Sequence, residues 1–175
     1  MNFIESISNY VLENFTVKDL PMIGMIALTE NIQSESIYIL AGMNENDNTF
    51  EILQYFNYSL SELKIVLPSK IESAKILTKY YLGKIVNNPD NAFEIMNKLN
   101  NEVYMQMNWD FKNCKREYIG EELYLEHLYT WYREIQDWND GAKLLYYDNL
   151  TRNEQRIKFQ ENLVIEANKV LNTNY

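Results

Sequence analysis

The chain has 175 residues, 46% hydrophobic and 23% charged, which is enough apolar material for one ordinary core and excludes a collagen-like, low-complexity or disordered polypeptide. Its 16 Lys and Arg against 25 Asp and Glu give a formal charge of −9, the wrong sign for phosphate backbones or anionic lipid, so no nucleic acid and no membrane surface is expected as a partner. With 5 Gly and 3 Pro the composition favours a few long elements, and residues 1–175 read as a single compact all-α domain of about six to eight helices, any strand being confined to residues 104–120.

Phe3, Ile4, Ile7, Val11, Leu12 and Phe15 recur with helical spacing, and Asn2 with Glu5 three positions on reads as a capping box, so the first helix is expected over residues 3–15. Thr16 and Asp19 repeat the cap signature before Pro21, which falls in a first turn where its missing N–H matters little, and this second helix ends near Glu30. Asn31 tolerates the left-handed conformation just past a helix end. Ser34 caps a third helix through Leu40, and Gly42 closes it. Residues 44–48 form a polar loop, after which Asn48 and Glu51 cap a fourth helix carrying Ile52, Leu53, Phe56, Leu60 and Leu63. Leu67-Pro68 breaks it, and Ser69 with Glu72 opens a fifth that bears Ala74, Leu77, Tyr81 and Ile85 and runs to about Val86. Asn88-Pro89 starts a sixth, with Phe93, Met96, Leu99 and Val103 facing inward.

Between residues 108 and 120 the periodicity is lost and Lys112, Lys115 and Arg116 gather, which reads as a connection or a pair of short extended pieces. Helical spacing resumes with an inner stripe of Tyr124, Leu128, Trp131 and Ile135, and ends at the turn Trp138-Asn139-Asp140-Gly141. A brief helix through Leu144 and Leu145 is expected next. Thr151 and Glu154 then cap a terminal helix lined by Phe159, Leu163, Ala167 and Leu171.

Catalytic and metal chemistry is narrowed by counting. One His and one Cys cannot build a His-rich or multi-cysteine zinc site, and five scattered Gly form neither a P-loop nor G-x-G-x-x-G. A lone Cys114 makes no internal disulfide, Met1 through Ser6 lacks a basic stretch leading into an apolar one, and no apolar run approaches the roughly 20 residues of a membrane span. A cytoplasmic protein without metal or organic cofactor is the expectation. Cys114 and His127 carry no flanking signature of a nucleophile pair. In the 44–48 loop the calcium pattern fails where Thr49 replaces the turn Gly and Tyr55 the bidentate Glu. Glu122 and Glu126, four apart beside His127, read as a solvated helix face and not as an acid/base pair. Trp109, Tyr118, Tyr124, Tyr129, Trp131, Tyr132, Trp138, Tyr146 and Tyr147 crowd the second half, as a core or as an interface.

The run Ala27-Leu28-Thr29-Glu30-Asn31, then Ser34-Glu35-Ser36 and Leu40-Ala41-Gly42-Met43, continuing into residues 50–68, resembles a group of uncharacterised small bacterial helical proteins with an AL-x-E-G … S-x-S-L … LAG segment. The shared positions are helix ends, Asn31 stands where the group has Gly, and the resemblance implies a fold and no activity. Two functions stay open. One is a non-catalytic protein-binding module of immunity or inhibitor type, whose partner is a basic protein met by Glu121, Glu122 and Glu126. The other is a hydrolytic enzyme using carboxylates and tyrosines in a helical pocket.

Overall fold

Side-chain caps decide where most of the helices begin. In the computed structural model, which describes residues 1–107, 109 and 120–173, eight α-helices follow in order and the protein is all-α, with no strand among the described residues. They are α1 (Phe3–Val11), α2 (Leu20–Thr29), α3 (Glu35–Gly42), α4 (Thr49–Glu62), α5 (Lys70–Asn87), α6 (Ala92–Leu99), α7 (Glu126–Asn139) and α8 (Arg152–Leu171). Complete capping boxes open α1 from Asn2 and Glu5 and α8 from Thr151 and Glu154, while Ser34 caps α3 by accepting the Ile37 N–H. Thr16 and Asp19 form their box one turn early, on a 3-10 turn at Val17–Asp19 that feeds α2. The expected box at α4 is only half made: Asn48 accepts the Phe50 N–H, and the Glu51 carboxylate does not return to the cap.

Helix ends use left-handed residues. Asn31 stands at φ 60° as its type allows, and the Ile32 N–H closes onto the Ala27 carbonyl at 2.9 Å. Glu13 and Lys64 take the same conformation at φ 64° and 55°, and the Asn14 and Ile65 N–H groups close onto the Asn9 and Leu60 carbonyls at 2.9 Å. The first helix therefore stops at Val11, short of the expected residue 15, because the chain reverses at Glu13.

The contacts gather into two compact units, Met1–Leu77 and Thr78–Tyr175, divided inside α5. In the first, α2, α3 and α4 pack on one another over a core of Phe3, Ile7, Leu20, Ile23, Ile37, Leu40, Ile52 and Phe56. Gly24 lets α2 and α3 approach: a Cβ there would lie 2.9 Å from the Ala41 backbone nitrogen. In the second unit α7 and α8 pack together and α6 packs on both, burying Met96, Leu99, Leu128, Ile135, Phe159 and Leu163.

Several expectations for this second unit need correction. α6 passes into a π-helical turn at Asn100–Tyr104, which periodicity did not announce. α7 begins at Glu126, because Tyr124 takes φ 55° and lies outside the helix, 46% exposed; the buried stripe is Leu128, Tyr132 and Ile135, with Trp131 half-buried beside it. Residues 144–145 form no helix: Leu144 is buried, and the Leu145 N–H donates to the buried Glu134 carboxylate at 3.0 Å. In the last turn of α8 Val170 is the buried residue and Leu171 only half-buried. The readings placed on Lys112, Cys114, Lys115, Arg116 and Tyr118 lie outside the described residues. No helix among those described is long and apolar enough to cross a membrane.

Candidate functional site

Charge is distributed unevenly along this fold. Between Lys18 and Lys64 the sequence holds seven Asp or Glu and no Lys, Arg or His, and these residues build α2, α3 and α4. Four of the seven carboxylates are engaged at helix ends: Asp19 accepts from Thr16, Glu30 from the Phe3 N–H, Asp47 from the Asn44 N–H and Glu62 from Ser36. The Ser36 hydroxyl at 2.6 Å, with Ser34 and the Ser36 N–H, holds the Glu62 carboxyl below the usual carboxylate range. Glu35, Glu45 and Glu51 are exposed and make no hydrogen bond or ion pair with a described residue.

The same helices leave large apolar side chains in solvent. Phe50 is 73% exposed, Met25 58% and Tyr38 54%, joined by Met22 and Ile39. Met22 and Met25 fall one turn apart on α2; Glu35, Tyr38 and Ile39 share a face of α3; Phe50 adjoins Glu51 at the start of α4. An acidic segment without Lys or Arg between Lys18 and Lys64, with exposed methionine and aromatic side chains, suits a cationic partner with apolar anchors.

The glutamates singled out from the sequence lie in the second unit and do not share one helix face. Glu121 and Glu122, half-buried, sit on a 3-10 turn at Glu121–Leu123, whereas exposed Glu126 opens α7 beyond the left-handed Tyr124. Glu126 borders a hollow of about 440 Å3 walled by Tyr104, Tyr129 and Arg133. Gly120 at φ 84° admits the Tyr104 ring, which would meet a Cβ at 2.7 Å. The Arg133 guanidinium stands 6.0 Å from the centre of the Tyr129 ring, so this hollow already holds a cation against its aromatic wall. His127 is exposed on the first turn of α7.

Tyrosine hydroxyls in the second unit find polar partners, one of them a carboxylate. The Tyr81 hydroxyl donates to Glu102, Tyr129 to Asn100 at 2.7 Å and Tyr132 to Asn97 at 2.5 Å. Burial pushes the Tyr81 phenol well above its ordinary range, and acceptance by Glu102 pushes it further; burial does the same to Tyr129. These phenols stay protonated donors and supply no base. No group of three or more His, Cys, Asp or Glu among the described residues could hold a metal ion.

Comparison of the chain with protein-family models, with curated proteins and with solved structures finds no match.

Proposed function

We propose that the chain is a cytoplasmic, non-catalytic protein-binding module of immunity or inhibitor type, which neutralises a basic protein through its acidic surface. The observation that carries this reading is the segment from Lys18 to Lys64: seven carboxylates without one cation, folded into three packed helices that keep Met25, Tyr38 and Phe50 in solvent. Long-range attraction steers a cationic surface in, and the exposed methionine and aromatic groups supply contact area once it arrives.

The test is capture from native lysate at low and moderate salt by three immobilised proteins. These are the wild type, the reversal Glu35→Lys/Glu45→Lys/Glu51→Lys, and the reversal Glu121→Lys/Glu122→Lys/Glu126→Lys. The first variant, at three exposed positions, should stay within about 0.5 kcal/mol of wild-type stability, as most surface changes do, and the second, whose Glu121 and Glu122 are half-buried, is compared at a temperature where its urea midpoint shows it folded. A basic protein should be retained by the wild type in a salt-sensitive way and lost by the first variant. Loss confined to the second variant would move the contact to the start of α7, and capture indifferent to salt and to both reversals would end the electrostatic reading.

A further inference from the structure

α8 is apolar on more than one side. Phe159, Leu163, Ala167 and Val170 form its buried stripe, yet Ile157 and Ile165 are 58% and 49% exposed, and with Val164 they line a groove of about 770 Å3. Trp138, from the last turn of α7, forms another wall. Its indole N–H is bound to the Arg152 carbonyl at 2.8 Å, so the ring is fixed in place.

Arg156 lines this groove, half-buried between two aromatic rings, its guanidinium carbon 5.7 Å from the centre of Phe93 and 5.9 Å from that of Trp138. Of the five N–H groups an arginine carries, one is used, donating to the Gln160 side-chain oxygen at 2.6 Å. Gln160 is itself anchored, its amide donating to the Pro89 carbonyl at 2.8 Å. No carboxylate of the described residues comes within ion-pair distance of Arg156, and Glu94 acts on it only at longer range. A guanidinium remains charged when partly buried, so an anchored fork held near two aromatic rings here has lost part of its water without a carboxylate partner among the described residues.

We propose that the groove between Trp138 and the Ile157–Ile165 side of α8 binds a small monocarboxylate with an apolar body, the carboxylate pairing with Arg156 and the hydrocarbon covering Trp138, Ile157, Val164 and Ile165. The volume falls within the usual range for small-ligand sites. The bidentate match of guanidinium to carboxylate sets the head group. Asp90 and Glu161 also border the groove, and Glu161 is already paired with Lys158 at 2.6 Å. Their charge disfavours polyanions such as nucleotides more strongly than a single carboxylate, which adds only one negative charge beside Arg156.

The experiment titrates octanoate, 1-octanol and octylamine, each below micellar concentrations, into the full-length 15N-labelled protein and follows amide shifts. Octanoate should shift amides of residues 156–165 in a saturable way and bind roughly tenfold or more tightly than octanol, the ratio expected for a hydrogen-bonded charge. Arg156→Gln should bring octanoate down to the octanol level. Should that variant fail to fold, Ile165→Ser, at a position half in solvent, should weaken octanoate and octanol alike while the wild-type preference for octanoate persists. Equal binding of octanoate and octanol by the wild type, preference for octylamine, or no saturable shift at residues 156–165 would overturn the assignment.

Discussion

Glu72 shows how much one side chain can report. It accepts the Ser69 hydroxyl at 2.7 Å and the Ser69 N–H at 2.8 Å, and these bonds, the hydroxyl first, hold its carboxyl below the usual carboxylate range. A carboxyl whose folded-state pKa is depressed contributes stability that is present above its unfolded-chain value and lost as pH falls through the folded one. Ser69→Ala should therefore lower stability by about 1 kcal/mol at pH 7, the usual loss for an N-cap hydroxyl. The gap to wild type should narrow as pH falls from the ordinary glutamate value through the depressed folded one, where the wild type protonates Glu72 and loses the same contact. Phe56→Ala gives the contrast. Phe56 is 1% exposed and packs edge-on to Tyr10, with ring centres 5.3 Å apart, so its loss should cost about 3–5 kcal/mol at both pH values. Urea midpoints at pH 7 and pH 3 decide this; a Ser69→Ala gap that stayed constant with pH would show that the charged acceptor is not what the cap serves.

At the scale of elements, two glycines inside helices make opposite predictions. Alanine is preferred over glycine within a helix by about 1 kcal/mol, so Gly83→Ala in α5, where an added Cβ meets nothing within 4 Å, should raise stability by about 0.5–1 kcal/mol. Gly24→Ala in α2 gains the same propensity but drives a Cβ to 2.9 Å from the Ala41 backbone and 3.2 Å from the Leu40 side chain. Backbone cannot step aside, so overpacking of about 1–3 kcal/mol should win and the melting temperature should fall. The contest was invisible in the sequence, where both glycines read alike. Caps were legible because their chemistry is local: Asn2 with Glu5, Ser34, Ser69 with Glu72, and Thr151 with Glu154 all act within four residues. Left-handed reversals at Glu13, Lys64 and Tyr124 were not, since these residue types carry no preference for positive φ and the surrounding packing imposes it. That is why helical spacing alone overextends α1 and puts Tyr124 on a helix it does not join. The acidic surface of α2–α4 could have been found by counting, since no cation occurs from residue 19 to 63, but the overall charge of −9 averages it away. The groove on α8 could not have been found, because the place of Trp138 beside Arg156 is set by tertiary packing.

Across the whole molecule the net charge divides unequally between the two units. Met1–Leu77 contains 10 Asp and Glu against 4 Lys and Arg, giving −6, while residues 78–175 contain 15 against 12, giving −3. One field then acts with opposite signs on folding and on association. Within the first unit the uncompensated carboxylates Glu35, Glu45 and Glu51 repel their like neighbours, and that repulsion opposes compaction. Raising ionic strength from about 0.01 M to about 0.1 M shortens the screening length from about 30 Å to about 10 Å, so the urea midpoint should rise with salt. The same screening should slow capture of a basic partner. Neutralising Glu35→Gln/Glu45→Gln/Glu51→Gln should raise stability at low salt by up to about 0.5 kcal/mol and flatten its salt dependence, because three of the repelling charges are gone while no hydrogen bond is lost. A urea midpoint that fell as salt was added would mean that attractive pairs such as Glu13–Lys70, 2.9 Å apart, outweigh the repulsion, and the surface of α2–α4 would lose its claim to be the field that steers a partner.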